Sequence, residues 1–227
     1  DFAACGRMAG EWLYGSEMME SGRVQILHNA VSPGRYAFSG ESRERLRREL
    51  GIDRDTVALG HVGRFSRQKN HALTVRIFAE FSRRHRDCVL LLAGDGELRQ
   101  DTEKQVRELG LEEKVRFLGI RQDVPELLSA MDLFLLPSRW EGLCFVMIEA
   151  QMNGLPAVCS SYVSRDVKLA DNVFFTADHA YDDPAAWSCL MEKALSAGRG
   201  DYREAVAAAG YDICREAKKL EELYRGV

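Results

Sequence analysis

Short apolar runs alternate with longer segments of helical periodicity, and this alternation constrains the fold more than any other feature of the chain. Leu73, Ile77 and Phe81 repeat at helical spacing between two such runs and predict a crossover helix. Near-continuous apolar runs are typical of strands buried on both faces of a parallel sheet. The sequence therefore predicts an α/β domain with a doubly wound parallel sheet. The predicted strands are Val24–Leu27, Val57–Val62, Cys88–Ala93, Val115–Leu118, Leu133–Leu136, Ala157–Cys159 and Val173–Thr176.

Length and charge exclude several classes of protein. The chain has 227 residues, 46% of them hydrophobic and 29% charged, which is typical of an ordinary soluble globular protein. Its 31 basic and 35 acidic residues are interleaved, so no global field favours nucleic acid, and we expect no nucleic-acid partner. No apolar run approaches the roughly 20 residues of a membrane-spanning helix, and no signal peptide is recognisable. We therefore expect a cytoplasmic protein whose anionic ligands meet a local cluster of cations.

The cysteines give no indication of a metal site. They form no C-x-x-C pair and have no histidine at ligand spacing, so a zinc site has no support and reduced thiols are expected. The cysteines therefore give no reason to expect a zinc ion. The six cysteines are Cys5, Cys88, Cys144, Cys159, Cys189 and Cys214.

A basic loop follows the predicted strand that ends at Val62. Gly63 permits a tight exit from the sheet, and a helix is predicted immediately after residues 63–70. Arg64 and Lys69 would lie at the carboxyl edge of the strand, where a helix N-terminus adds positive potential. This arrangement suits a diphosphate. The alternative is an ordinary solvated basic loop.

Two glutamates follow the predicted strand that ends at Leu136. Gly142 is predicted to start a helix whose free N–H groups face the sheet edge, with Glu141 beside them. Glu149 would lie about two turns along the same face, so that both carboxylates line one wall. Carboxylates accept hydrogen bonds from the hydroxyls of a sugar or a ribose. The apolar neighbours of Glu149 predict partial burial, which requires a polar partner. The alternative reading makes Glu141 a capping residue and Glu149 a solvated one.

The motifs at two further strand ends indicate a ligand site less specifically. Gly94 and Gly96 follow one strand and would let backbone approach a ligand, although a plain turn explains them equally well. Residues 116–120 end another strand, where a nucleobase could stack and pair with backbone groups.

Together these motifs resemble the donor-binding domain of retaining glycosyltransferases of the GT-B type, which contain two Rossmann-like domains, and specifically glycosyltransferase family 4. The resemblance covers nearly the whole chain and extends to bacterial capsular and exopolysaccharide enzymes. It implies that this chain is one half of a GT-B fold. The motifs behind it are Val62-Gly63-Arg64 with Lys69, Ala93-Gly94-Asp95-Gly96, Val115-Arg116-Phe117-Leu118-Gly119, Pro137-Ser138, Glu141 with Glu149, and Gly154-Leu155-Pro156.

The resemblance implies a role for each site residue. Arg64 and Lys69 would neutralise the donor diphosphate and act in catalysis with Glu141. Because these two cations would replace the charge of a metal ion, the resemblance implies no metal and no cofactor. Glu149 would bind the ribose hydroxyls, Glu141 would bind the transferred sugar, and the base would lie near residues 117–120. The donor-binding set implied by the resemblance is Gly63, Arg64, Lys69, Gly94, Phe117, Leu118, Glu141, Gly142, Leu143, Cys144, Phe145 and Glu149.

The resemblance also divides the chain into three segments. Residues 1–35 resemble the end of the first domain and the interdomain link, residues 36–210 the donor-binding domain, and residues 211–227 the crossover helix. The first domain would supply the acceptor site. A fragment without it is expected to bind donor but to be inactive.

The function implied is transfer of a sugar from a nucleoside-diphosphate sugar, expected to be a UDP-sugar, with retention at the anomeric carbon. The acceptor would be a glycan or a lipid-linked saccharide in polysaccharide biosynthesis. The full-length protein could then associate peripherally with the inner face of the membrane. Two alternatives stay open, a nucleotide-sugar 2-epimerase and a non-catalytic nucleotide-sugar-binding module.

Cys144 adds a separate hypothesis. At a predicted helix start its thiol would tend towards a thiolate, although Glu141 opposes this by raising its pKa. An inert buried thiol is the alternative.

Overall fold

The computed structural model describes residues 2–225, excluding the side chain of Met8, and shows eight strands and eleven α-helices in that range. The strands are β1 (Phe2–Ala4), β2 (Val24–Ile26), β3 (Val57–Val62), β4 (Cys88–Ala93), β5 (Val115–Gly119), β6 (Leu133–Leu136), β7 (Ala157–Cys159) and β8 (Val173–Phe175). The helices are α1 (Arg7–Tyr14), α2 (Ser16–Glu20), α3 (Pro33–Tyr36), α4 (Gly40–Glu49), α5 (His71–Arg84), α6 (Arg99–Glu108), α7 (Val124–Ala130), α8 (Phe145–Met152), α9 (Pro184–Ala197), α10 (Arg203–Val206) and α11 (Ile213–Arg225).

Strands β3 to β8 form one parallel sheet in the order β5-β4-β3-β6-β7-β8, which confirms the predicted doubly wound sheet. Every predicted strand is present, six of them in this sheet. The predicted strand at Val24 pairs instead with β1 in a separate two-stranded parallel sheet. The sequence pattern missed β1 because three residues are too few to show a period.

Alternate residues of each central strand enter different cores. In β4, Val89, Leu91 and Ala93 pack with helices α4, α7 and α8, whereas Leu90 and Leu92 pack with α5, α6 and α9. Because side chains alternate between two apolar cores, every position of the strand is apolar in the sequence. A fully buried leucine contributes about 1.5–3 kcal/mol, so both layers stabilise the sheet strongly.

The strand order reverses between β3 and β6. The chain moves outward from β3 to β4 and β5 on one side, and then continues at β6 on the other side of β3. Such a switch point opens a crevice at the carboxyl ends of the strands, where ligands bind in open α/β sheets. The loops after β3 and β6 meet there, because the Arg139 backbone N–H donates to the Gln68 carbonyl at 2.8 Å.

The two terminal segments join beside the main sheet. The Val31 backbone donates to the Tyr211 carbonyl and accepts from the Ile213 N–H, both at 3.0 Å. Helix α11 begins at Ile213, and its buried residue is Glu216, whereas Leu220 and Tyr224 on its apolar stripe are exposed. The predicted segments 1–35 and 211–227 each extend past the described range, at residue 1 and at residues 226–227.

Candidate active site

An ion pair between two loops forms the centre of the switch-point crevice. The Lys69 ammonium lies 2.8 Å from Oε1 of Glu141, and their side chains are only 17% and 8% exposed. Ser138 donates its hydroxyl to the same oxygen at 2.8 Å, and Gln68 donates its amide to Oε2 at 3.2 Å. The Glu141 carboxylate is therefore held at both oxygens.

The loop that ends at Lys69 is fixed by Asn70. Asn70 has left-handed dihedral angles (φ 54°, ψ 52°), which asparagine tolerates better than most residues, and α5 begins at the next position. Its buried amide donates to the Tyr181 hydroxyl at 2.7 Å, and that hydroxyl donates to the Pro137 carbonyl at 3.2 Å. Asn70 and Tyr181 thus tie the loop after β3 to the loop after β6.

Lys69 is the cation of this buried cluster. Burial alone would lower the pKa of Lys69, but the neighbouring Cys144 sulfur and Glu141 carboxylate outweigh burial and raise it. Burial lowers the pKa of His61 to about 4 and that of His71 to about 2, so both imidazoles are neutral at pH 7. The positive charge in this layer therefore resides on Lys69.

Arg64 lies at the same sheet edge but apart from this cluster. Its side chain is 75% exposed, and its guanidinium Nη2 lies 3.1 Å from Oε2 of Glu97. The structure thus places Arg64 after the end of the strand, as predicted. Its acidic partner is Glu97, whereas that of Lys69 is Glu141. A surface ion pair of this kind contributes little to stability, typically about 0–1 kcal/mol, so Glu97 restrains Arg64 only weakly.

Gly94 is required by the contact between two loops. It has φ of 135°, and a Cβ added there would lie 2.0 Å from the Gly63 carbonyl oxygen. The Gly63 N–H in turn donates to the Ala93 carbonyl at 2.9 Å. Close approach to the Gly63 backbone therefore explains Gly94. A Cβ at Gly63 would instead meet the side chains of Lys69 and His61 at 3.2–3.3 Å.

The side chains at the end of β5 mainly serve packing. Phe117 is partly buried, with its ring centroid 6.0 Å from that of Phe65 and the Arg99 guanidinium 6.0 Å from its centroid. Leu118 packs against the core. Ile120 is 78% exposed just beyond the strand. Any contact of β5 with a base would therefore involve backbone groups or Ile120 more than Phe117 or Leu118.

The prediction that a helix starts at Gly142 is wrong. Helix α8 begins at Phe145, with Cys144 as an extended N-cap residue (φ −86°, ψ 105°). Glu141 forms a parallel β-bridge with Val163, which keeps the preceding segment extended. Glu141 therefore precedes the helix, and the two glutamates do not share one helical face as predicted. Their nearest partners also differ.

Glu149 is partly buried and has a polar partner, as predicted. Its Oε1 accepts a hydrogen bond from the Tyr36 hydroxyl at 2.6 Å. Burial raises the pKa of Glu149, while the Tyr36 hydrogen bond and Arg35 act in the opposite direction. Tyr36 was not among the predicted site residues, because 113 positions separate it from Glu149 and no local pattern connects them.

Cys144 is a buried thiol, which supports the inert alternative and not the thiolate. It is 3% exposed, and burial raises its pKa to about 11. Its sulfur lies 3.6 Å from the Lys69 ammonium. On either side of it, Leu143 and Phe145 are partly buried against neighbouring apolar residues. The segment Gly142 to Phe145 is thus anchored by side chains that point into the domain.

Comparison with known proteins identifies the family. The pattern that defines glycosyl transferases group 1 matches residues 42–212. The chain belongs to this family. EpsF of Bacillus subtilis, described as a glycosyltransferase, is 34% identical over 225 residues, which cover 97% of this chain and 58% of EpsF. The UDP-Gal:alpha-D-GlcNAc-diphosphoundecaprenol alpha-1,3-galactosyltransferase of Escherichia coli is 32% identical over 216 residues, or 89% of this chain and 54% of that protein.

Solved structures confirm the GT-B-like fold of this group 1 glycosyltransferase chain. Anabaena HepE, crystallised with UDP and glucose, superposes with a TM-score of 0.78 at 21% identity. That match covers 99% of this chain and 62% of HepE. The chain therefore spans between about half and three fifths of the length of these relatives.

A cavity of the glycosyltransferase domain lies at the amino edge of the sheet, opposite the predicted site residues. It measures about 950 Å³ and is lined in part by Arg43, Arg199 and Asp132. Arg43 forms an ion pair with Asp132 at 2.6 Å, and Arg199 donates to the Leu128 and Met131 carbonyls. The guanidinium groups that line this cavity therefore already have partners, which lie in the last turn of α7 and just before the start of β6.

Within residues 2–225, no helix of this family member has the length and apolar character of a membrane span. The same residues contain no group of three or more His, Cys, Asp or Glu side chains arranged to hold a metal ion.

Proposed function

We propose that the carboxyl edge of this domain binds a nucleoside-diphosphate sugar and that the parent protein transfers the sugar with retention at the anomeric carbon. The observation behind the proposal is the buried Lys69–Glu141 ion pair at the switch point. A cation and a carboxylate meet there at the edge where α/β sheets bind ligands. One of the relatives is named as a transferase that uses UDP-Gal, which supports a nucleotide-sugar donor.

Lys69 and Arg64 would stabilise the leaving diphosphate. Lys69 keeps its charge because Glu141 compensates it, and Arg64 has only a surface carboxylate to release. Fixed charges aimed at a developing negative charge lower the barrier without reorganisation, so they could replace a metal ion here. Glu141, held by Ser138 and Gln68, would contact the transferred sugar together with the backbone of residues 142–145.

Glu149 would bind the ribose, and the base would lie near Ile120. We take a UDP-sugar as the donor, and a glycan or lipid-linked saccharide in polysaccharide biosynthesis as the acceptor. The acceptor would bind through a first domain that precedes this chain in the parent protein. This chain alone would then bind donor weakly and transfer negligibly, because one wall of the cleft cannot exclude water. A cytoplasmic location with peripheral membrane contact suits such an acceptor.

The two alternatives predict different products. A 2-epimerase would interconvert donor sugars without an acceptor, and a binding module would leave the donor unchanged. A transferase would hydrolyse the donor slowly or pass its sugar to an acceptor. Chromatography of a UDP-sugar incubated with the full-length protein, with and without acceptor, separates the three.

Calorimetric titration of the chain with UDP, GDP and ADP tests the proposal. We expect UDP to bind most tightly, and Lys69→Met to weaken UDP binding by roughly tenfold to a hundredfold, the value of a hydrogen bond to a charged group. Lys104→Met, which changes an exposed lysine on α6, serves as the matched control and should leave binding unchanged. Binding of none of the three, or equal losses in both variants, would contradict the proposal.

A further inference from the structure

One oxygen of the Glu149 carboxylate is occupied and the other is free. Oε1 accepts from the Tyr36 hydroxyl at 2.6 Å, and this is the one hydrogen bond to the carboxylate from any residue in the range 2–225. A carboxylate has about four lone-pair sites on its two oxygens. Oε2 is therefore available to hydroxyl donors of a ligand, while Oε1 is fixed by the protein.

The Tyr36 side chain starts from a fixed backbone. The Tyr36 carbonyl accepts from the Asn153 side-chain amide at 3.0 Å, and the Tyr36 N–H donates to the Ser32 carbonyl at 3.1 Å. Asn153 is 1% exposed and also donates to the Ser129 hydroxyl at 3.0 Å. Helix α3 packs on α8 through the apolar part of Tyr36. The hydroxyl thus reaches Glu149 from a constrained position.

We propose that Tyr36 is a positioning residue for nucleotide recognition, whose hydroxyl holds Glu149 so that Oε2 faces the ribose hydroxyls. The inference rests on the proposed function, because it takes the Glu149 ligand to be the ribose of a nucleoside diphosphate. Without Tyr36, no side chain or backbone N–H within residues 2–225 donates to the partly buried carboxylate. It would then adopt several rotamers, and ligand binding would have to restrict them.

Ribose dependence separates positioning from a merely structural role. If Tyr36 acts through Glu149, its removal should weaken binding only of ligands that carry ribose hydroxyls. A general effect on folding or on the shape of the cleft would instead weaken every nucleotide equally. The pair UDP and 2′,3′-dideoxy-UDP differs in those hydroxyls alone and is the appropriate probe.

The experiment measures the dissociation constants of both ligands by calorimetry on the full chain and its variants. Tyr36→Phe should weaken UDP about threefold to tenfold, the usual net value of one hydrogen bond, and should change dideoxy-UDP by less than about twofold. Tyr14→Phe is the matched control. It also removes a tyrosine hydroxyl, but this hydroxyl donates to the carbonyl of Ala3, which lies in strand β1 of the separate two-stranded sheet. It should leave both constants unchanged.

The Glu149→Gln background completes a double-mutant cycle. We expect Tyr36→Phe to have a smaller effect on UDP binding in that background, because the carboxylate through which Tyr36 acts is gone. Normal UDP binding by Tyr36→Phe, or equal weakening of UDP and dideoxy-UDP, would overturn the inference. If instead Glu149→Gln leaves UDP binding unchanged, or the parent chain binds no UDP, the ribose assignment fails first and the Tyr36 inference fails with it.

Discussion

The two edges of the main sheet use their cations differently. At the amino edge, Arg47 is 4% exposed and donates to the Ala130, Asp53 and Thr56 carbonyls. At the carboxyl edge, Arg64 is largely exposed and its acidic partner Glu97 lies on the surface. The amino-edge arginine is used within the fold, whereas the Arg64 guanidinium at the carboxyl edge is exposed and only paired at the surface.

Neither the size of a cavity nor the number of arginines around it identifies the ligand-binding site of this domain. The 950 Å³ cavity and several arginines lie at the amino edge, where the guanidinium groups satisfy backbone carbonyls. Buried carbonyls need such donors, so these arginines have a structural role. The exposed charge of Arg64 and the buried Lys69–Glu141 pair point to the opposite edge.

The largest effect should come from Arg47→Met, at the amino edge. Loss of a buried guanidinium leaves carbonyls and part of Asp132 unpaired, so we expect destabilisation of roughly 3–5 kcal/mol. Urea unfolding measures this change. Arg48→Met, at the next position of α4 and exposed, is the matched control and should change stability by less than about 0.5 kcal/mol. UDP binding to folded Arg47→Met should be normal; specific loss of binding would break the contrast between the edges.

Arg64→Ala should show the opposite behaviour, with a loss of binding and no loss of stability. We expect UDP to bind more weakly by about 1.5–3 kcal/mol, while uridine binding and the melting temperature stay unchanged. Arg67→Ala removes another exposed arginine of the same loop and serves as control. Equal losses for UDP and uridine would show that Arg64 acts through the fold and not through the diphosphate.

Glu149→Gln should increase stability while weakening nucleotide binding. Because burial raises the pKa of Glu149, this group favours the folded state below the ordinary carboxyl pKa, and that contribution is lost as pH rises through the raised value. At pH 7 the Glu149→Gln variant should therefore unfold at a higher urea concentration than the parent chain, with a gain of about 0.5–2 kcal/mol in the free energy of unfolding. At pH 4, where the carboxyl is largely protonated, the two chains should unfold alike. A destabilised variant at pH 7 would mean that the Tyr36 hydrogen bond outweighs burial.

The smallest effect is expected at Cys144. Because this thiol is buried with its pKa raised to about 11, iodoacetamide at pH 7.5 should label Cys5, Cys189 and Cys214 and leave Cys144 unmodified. Peptide mass spectrometry distinguishes these sites. Rapid labelling of Cys144 in the folded chain would show that the segment before α8 opens, and would weaken the description of a rigid carboxyl edge.

The sequence was sufficient to predict what depends on local pattern. The strands were predictable because burial on both faces makes them continuously apolar, and their order along the chain placed Lys69 and Glu141 at strand ends. The helix start was wrong because the bridge between Glu141 and Val163 is a tertiary contact. Tyr36 was missed for the same reason, since only the folded chain brings it to Glu149.

Hydrogen–deuterium exchange with and without saturating UDP tests most directly whether the carboxyl edge is the nucleotide site. Ligand contacts slow the exchange of nearby amides, and the two edges are covered by different peptides. We predict slower exchange in residues 63–70 and 138–149 and no change in residues 53–57 and 198–203. Protection of the amino-edge peptides, with the carboxyl-edge loops unaffected, would contradict the account.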